Sequence, residues 1–188
     1  MTQASLETEL KIPVADLEPI RQALHDVNAD RLHPMMRETN VLLDTASGQL
    51  QADGKTLRLR RYGAYEILTL KGPVTYHGSV KEREEFEVEV SDLGGMARIL
   101  GAIGFLPTIR YEKDRETWRF EEVTVVLDHT PMGDFVEVEG PPEQLPGAAR
   151  KVGLNPDHAV RESYLGLWRV HRQRFPERHL PPDMVFEE

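Results

Sequence analysis

The chain has 188 residues, is 39% hydrophobic and 29% charged, and carries a formal net charge of −9 with no cysteine. That length supports one domain with a real core, and the missing cysteine excludes a disulfide scaffold, a thiolate zinc site and a cysteine nucleophile. The acidic balance argues against broad nucleic-acid binding. No apolar run is long enough to span a membrane and no secretory segment follows Met1, so a cytoplasmic location is expected.

Residues 5–13 predict a strand closed by Pro13. Its alternation puts Glu7, Glu9 and Lys11 on one face, about 6.5–7 Å apart along the strand. Two carboxylates and an ammonium side by side make a poor core face and a good start to a site for a divalent metal with a phosphate-like anion. Residues 15–26 predict a helix with Leu17, Ile20, Leu24 and Val27 at helical spacing. Strands are expected at 39–44, 56–62, 65–71 and 82–90, the first followed by Ser47-Gly48 and the second preceded by an Asp53-Gly54 hairpin turn. A helix over 92–100 ends at Gly101 and Gly104. Residues 109–120 and 123–128 predict a hairpin turning at Glu121-Glu122, and 135–139 a further strand. Helices at 147–152 and 161–174 follow. The chain after Phe175, with Pro176, Pro181 and Pro182, is expected to be a weakly structured tail (176–188) on a single domain (1–175).

The strand faces carry the functional signal. Arg58 and Arg60 share a face opposite Leu57 and Leu59. Residues 81, 83, 85, 87 and 89 form a charged face opposite Phe86, Val88 and Val90. Lys113 pairs with Arg115, and Glu137 with Glu139 opposite Val136 and Val138. For any single strand, a solvated charged face is the ordinary explanation. Here it recurs on at least six strands against uniformly apolar opposite faces, and the helices need apolar partners. The pattern fits an inside-out barrel, with a lumen of both charge signs and an apolar outside partly covered by helices. Burying that many charges is costly unless they pair, stay hydrated or hold a ligand. Gly48 and Gly54-Lys55-Thr56 resemble a phosphate loop, but five residues intervene where that motif has four, and a strand follows where a helix is needed. The seven histidines are scattered, and no pair has metal spacing on one face.

These residues, in order, resemble the CYTH superfamily of triphosphate tunnel metalloenzymes. Glu7-x-Glu9-x-Lys11 is similar to its N-terminal signature. Asn40-Val41-Leu42-Leu43-Asp44-Thr45 resembles its Asn-x-Tyr-Phe-Asp-Thr segment with leucines for the aromatics. Leu57-Arg58-Leu59-Arg60, Thr69-Leu70-Lys71-Gly72, Arg83-Glu84-Glu85-Phe86-Glu87, Lys113-Asp114-Arg115, the acidic positions Asp128, Glu137 and Glu139, and Ser163-Tyr164 are similar to its later motifs. The resemblance spans about Glu7 to Trp168. It implies an α+β fold, an eight-stranded antiparallel β-barrel tunnel with a charged lumen and helices packed outside and at the ends. It implies Mg²⁺ or Mn²⁺ held by Glu7, Glu9, Asp128, Glu137 and Glu139. Lys11, Arg58, Arg60, Lys71, Lys113 and Arg115 would clamp the phosphates, and Arg83, Glu85 and Glu87 would line the wall, with Glu85 a further metal or water contact. Glu7, Glu9, Lys11 and Lys71 are the expected catalytic residues, and Arg161, on the last helix, would plug one mouth and reach the ligand. The implied activity is hydrolysis of tripolyphosphate, thiamine triphosphate or another small triphosphate. A class IV adenylate cyclase acting on ATP and a non-catalytic polyphosphate or nucleotide binder are the alternatives. Monomer and homodimer are both open.

Overall fold

The computed structural model describes residues 5–78 and 80–187. Its strands are β1 (Ser5–Val14), β2 (Asp30–Thr45), β3 (Thr56–Tyr62), β4 (Tyr65–Lys71), β5 (Thr75–His77), β6 (Val80–Glu89), β7 (Phe105–Phe120), β8 (Val123–Thr130) and β9 (Gly133–Glu139). Its helices are α1 (Glu18–Asp26), α2 (Gln49–Ala52), α3 (Leu93–Ala102), α4 (Leu145–Lys151) and α5 (Tyr164–Arg174). The strands form one sheet in the order β1-β9-β8-β7-β2-β3-β4-β6-β5, and β6 also pairs with β1. Eight strands therefore close into an antiparallel barrel, with no open edge in its wall. The short β5 continues the pairing of β6 beyond the point where β4 ends: Lys71 lies opposite Glu85, and Thr75 opposite Glu82.

Period-two alternation sorts side chains to the two sides of this wall. Leu10, Ile12, Val125, Leu127, Val136 and Val138 face outward and pack under Leu17 just ahead of α1, Ile20 and Leu24 of α1, and Leu145, Ala148 and Ala149 of α4. Leu43, Leu57 and Leu59 do the same under Leu100 of α3. Fully burying each of the larger of these side chains is worth about 1.5–3 kcal/mol, and these two clusters lie outside the barrel. The inside carries most of the charges, together with Tyr111 and Tyr164, which belong to a third buried cluster with Phe135, Trp168 and Met184. Glu116 on β7 is an exception on the outer face. It is buried, and it is held there by Arg21 of α1 at 2.9 Å.

Several boundaries differ from the sequence expectation. Strand β2 begins at Asp30 because bulges between Arg31 and His33 and between His33 and Met36 carry the pairing past Pro34. Asp53-Gly54 is not a hairpin turn. It closes α2, with Gly54 at φ +69° and the Lys55 amide donating to the Leu50 carbonyl at 2.8 Å. Asp92 caps α3 by accepting from the Gly95 amide at 2.8 Å, and Ser163 caps α5 through the Gly166 amide at 3.1 Å, which puts Arg161 before that helix rather than on it. The C-terminal segment has one 3₁₀ turn, Pro176–Arg178. Beyond it, Met184 is fully buried and exchanges backbone hydrogen bonds with β7, and the Trp168 indole donates to the Pro181 carbonyl at 3.1 Å. No helix among the described residues is long and apolar enough to cross a membrane.

Candidate active site

The inward faces of the strands enclose a cavity of about 300 Å³. Its lining includes Glu7, Glu9 and Lys11 from β1, Arg58 and Arg60 from β3, Lys71 from β4, Arg83, Glu85 and Glu87 from β6, Lys113 and Arg115 from β7, and Glu137 and Glu139 from β9. Of the site residues expected from the sequence, two are not in this lining, Asp128 and Arg161. Asp128 is fully buried in the wall beside Arg115. Arg161 is exposed at the rim, where its guanidinium donates to the Gly78 carbonyl at 2.7 Å and the Tyr76 hydroxyl donates to the Arg161 carbonyl at 2.9 Å. The expectation that Arg161 stands on the last helix is corrected, and the side chain expected to plug one mouth lies at the rim outside the cavity lining. The capped turn at Ser163 leaves it on extended chain outside.

One corner of the lumen is internally neutralised. Asp128 accepts from Lys113 at 3.0 Å, from both Nε and Nη2 of Arg115 at 2.8 and 2.7 Å, and from the Tyr164 hydroxyl at 2.6 Å. Glu137 bonds Arg115 and lies 3.2 Å from the Lys11 ammonium. Glu38, fully buried, accepts from Asn40 at 3.0 Å and stands within 4 Å of Arg60, Lys113 and Arg115. Burial opposes its charge, yet Lys113, Arg115, Arg60 and Arg58 together hold its carboxyl far below the ordinary range. Burial opposes charge on Glu137 as well, and Lys11, Lys113 and Arg115 overcome it. Burial likewise disfavours charged Lys11 and Arg115, but their acidic neighbours hold both above their ordinary values. The ring of Tyr164 lies against the ammonium groups of Lys11 and Lys113 at 4.4 and 4.8 Å, and burial, then Asp128, pushes its hydroxyl well above the usual range.

A neighbouring acidic group, linked to the first by Lys11 between Glu9 and Glu137, has carboxylates to spare. Glu7, Glu9 and Glu139 each offer an oxygen, all within 4.8 Å of one another. Registry explains the grouping, because Glu9 on β1 lies directly opposite Glu139 on β9. Lys71 holds one oxygen of Glu7 at 2.5 Å, and the other, Oε2, is buried without a partner. Lys81 holds Glu9 at 2.5 Å. Burial pushes the Glu139 carboxyl up, and the neighbouring Glu137, Glu7 and Glu9 push it further, to about 8. A set of hard oxygens crowded together and short of positive charge fits a divalent cation such as Mg²⁺ or Mn²⁺. Of the five carboxylates expected to hold metal, the structure gathers Glu7, Glu9 and Glu139, whereas Asp128 and Glu137 are engaged by cations in the other corner.

Three arginines that line the cavity also keep donors without partners. Nε and Nη2 of Arg83 are buried without partners, as are Nε of Arg58 and of Arg60. Burial lowers the Arg83 guanidinium from its ordinary value, an effect that Glu7 and Glu85 only partly offset. Arg58 donates to the Tyr111 hydroxyl at 3.1 Å, and Arg60 to Glu87 at 2.6 Å. Glu38, Lys81 and Tyr111 are the lumen residues that the motif reading did not assign. Glu38 continues the Asn40 face of β2 by one alternation, and Lys81 sits on the charged face of β6, so strand period alone held the signal for both.

The CYTH domain model matches residues 5–164. A candidate adenylate cyclase of Methanocaldococcus jannaschii is 24% identical over 173 residues, covering 86% of this chain and 98% of that protein. The crystal structure of a candidate adenylate cyclase from Vibrio parahaemolyticus superposes with a TM-score of 0.79 at 19% identity, over 89% of this chain and 99% of that one. A candidate adenylyl cyclase from Hippeastrum, described as having a dominant triphosphatase activity, superposes with a TM-score of 0.64 at 20% identity, over 88% and 96%. At these identities the two structures bear on the fold alone. The family match runs from β1 to the first residue of α5 and takes in every strand of the charged barrel, and the chain belongs to the CYTH domain family.

Proposed function

We propose that this protein is a divalent-metal-dependent hydrolase of inorganic tripolyphosphate or a small organic triphosphate. The observation that carries the reading is the unbalanced lumen. An acidic triad in which Glu139 lacks a counter-ion and arginines with buried donors that lack acceptors belong to the residues lining one cavity of about 300 Å³. A polyphosphate with its cation satisfies both groups at once, and the volume lies at the small end of ligand sites.

Glu7, Glu9 and Glu139 would hold Mg²⁺ or Mn²⁺, which when bound supplies neutralisation of phosphate charge and Lewis acidity. Arg83 and Arg58 have free donors to orient the phosphate chain, and arginine forks match phosphate oxygens. Glu7 Oε2, without a partner in the structure, is the acceptor suited to align a water with the terminal phosphorus. In-line attack forms one P–O bond and breaks the bridging P–O bond, releasing phosphate and diphosphate. Arg58, Arg60 and Lys71 would stabilise the charge that develops on the leaving diphosphate.

Adenylate cyclase chemistry is the second reading. It is favoured by the name of the Methanocaldococcus jannaschii relative and by a second cavity of about 500 Å³ that shares Leu42, Thr56, Ser163 and Leu165 with the lumen and has room for a nucleoside. Hydrolysis leads because the two-signed charged lumen suits a polyphosphate with its cation, and Leu42 and Leu43 stand where the resembling segment has aromatics. The test is a substrate panel of tripolyphosphate, thiamine triphosphate, ATP and GTP with Mg²⁺ or Mn²⁺ and chromatographic identification of products. Phosphate release from tripolyphosphate, reduced at least about 100-fold by Glu9→Gln, is expected, a loss of about 2.7 kcal/mol in barrier lowering. Cyclic AMP as the main product from ATP favours the cyclase, and binding without turnover leaves only a polyphosphate binder.

A further inference from the structure

Lys81 belongs to none of the resembling motifs, yet it occupies a critical position. Three residues stand in one cross-strand row: Lys81 on β6 lies directly opposite Glu9 on β1, and Glu9 directly opposite Glu139 on β9. The Lys81 ammonium is 2.5 Å from Glu9 Oε1. Glu9 is its one ion-pair partner among the described residues. Lys71, the other lysine on the triad, differs in this respect. It holds Glu7 at 2.5 Å and also has Glu85 at 3.2 Å, so losing Glu7 leaves it paired. Lys81 also lines the cavity.

A divalent cation held by Glu7, Glu9 and Glu139 would draw on the same Glu9 carboxylate that Lys81 now holds. Ammonium and metal then compete for Glu9, because a divalent cation placed on a carboxylate beside an ammonium in contact with it is strongly repelled by that ammonium. The ammonium has no second carboxylate within 4 Å among the described residues, and Lys81 lines the cavity a phosphate chain would fill. We infer that Lys81 is a displaceable internal counter-ion of the Glu7–Glu9–Glu139 triad, which holds Glu9 until a divalent cation replaces it and then passes to a phosphate oxygen of the substrate. This rests on the metal-dependent reading of the site and adds a residue that couples metal and substrate binding. Such coupling is reciprocal: what tripolyphosphate does for Mn²⁺ affinity, Mn²⁺ does for tripolyphosphate.

The experiment is calorimetric titration of Mn²⁺ into the full chain without phosphate, using wild type, Lys81→Met and Lys81→Arg, with folding checked by circular dichroism. Lys81→Met is expected to bind Mn²⁺ roughly tenfold more tightly than wild type, and Lys81→Arg to stay near wild type. In Lys81→Met, the tightening of Mn²⁺ binding by tripolyphosphate is expected to shrink. A second measurement needs no variant: acetylation of Lys81 in the wild type, mapped by mass spectrometry, should rise several-fold on saturation with Mn²⁺ and fall again when tripolyphosphate is added. Unchanged or weaker Mn²⁺ binding by Lys81→Met, or acetylation of Lys81 indifferent to Mn²⁺, overturns the counter-ion role while leaving the metal site standing. Absence of Mn²⁺ binding by wild type and Lys81→Met alike overturns the metal reading, and the counter-ion role with it.

Discussion

Two corners of the lumen are built from the same residue types and end in different states. Around Asp128, Glu137 and Glu38, every carboxylate meets at least two cations, and Arg115 touches all three acids. Around Glu7, Glu9 and Glu139, Lys71 holds Glu7, Lys81 holds Glu9 with Lys11 3.7 Å away and shared with Glu137, and Glu139 has no ion-pair partner among the described residues. The first corner is neutralised by its own cations, although Glu38 Oε2 makes no hydrogen bond. The second is incomplete, and its deficit is a positive charge. Charge count alone does not separate them; the row in which each residue sits does. Position along the barrel therefore divides acids that hold the wall together from acids available to a ligand.

The largest expected effect tests the neutralised corner. Arg115→Ala leaves Asp128 with Lys113, Glu137 with Lys11, and the fully buried Glu38 with a weakened surround. Removing one partner from a buried network typically costs about 3–5 kcal/mol. Urea unfolding at neutral pH should show a loss of that size, and a change below about 1 kcal/mol would mean that the corner is not structural. Tyr164→Phe is the milder version. It keeps the ring between Lys11 and Lys113 and deletes the 2.6 Å hydrogen bond to Asp128. The expected loss is about 1–2 kcal/mol by the same measurement.

The pH dependence of the two corners has opposite sign. Glu38 and Glu137 have folded-state values depressed below the ordinary 4.5, so their contribution is complete above that pH and is lost as pH falls through the depressed values. Glu139 is raised to about 8, so in the metal-free protein its charged form is disfavoured by folding, and stability declines as pH climbs from about 4.5 towards 8. Glu139→Gln should flatten that decline and leave the acid limb intact. Saturating Mn²⁺ should flatten it in the wild type, because a cation at the triad favours the charged carboxylate. Thermal unfolding across pH 4–9 reads both, and an undiminished decline in Glu139→Gln would remove Glu139 as its source.

The barrel was legible because its strands are so regular. Leu57-Arg58-Leu59-Arg60 and Val136-Glu137-Val138-Glu139 state their two faces outright, and β3 and β4 fall at the expected residues. The misses have local causes. Thr75-Tyr76-His77 is too short to show alternation, and Gly72-Pro73 ahead of it reads as an ending, so β5 stayed hidden. Pro34 and the bulges beside it interrupt the period of β2, which kept Glu38 outside the expected strand. The division of the acids into triad and network depends on registry between strands distant in sequence, such as Glu9 opposite Glu139, and no single-strand pattern encodes it.

The smallest expected effect separates the lumen from its rim. Arg161 stands on the chain that leads into α5, donates to the Gly78 carbonyl, and lies 5.5 Å from the Tyr76 ring, all on the outer lip formed by β5 and its turn. Its partners are a backbone oxygen and an aromatic face in solvent, where such contacts are worth little. Arg161→Ala should cost less than about 0.5 kcal/mol in urea unfolding and leave the affinity for tripolyphosphate within about twofold, a change near 0.4 kcal/mol. Arg83→Ala, one strand inward with two buried nitrogens lacking acceptors, should lower that affinity at least about tenfold. Equal losses in the two variants would erase the boundary between rim and lumen, because a cation outside the cavity would then act on phosphate as strongly as one that lines it.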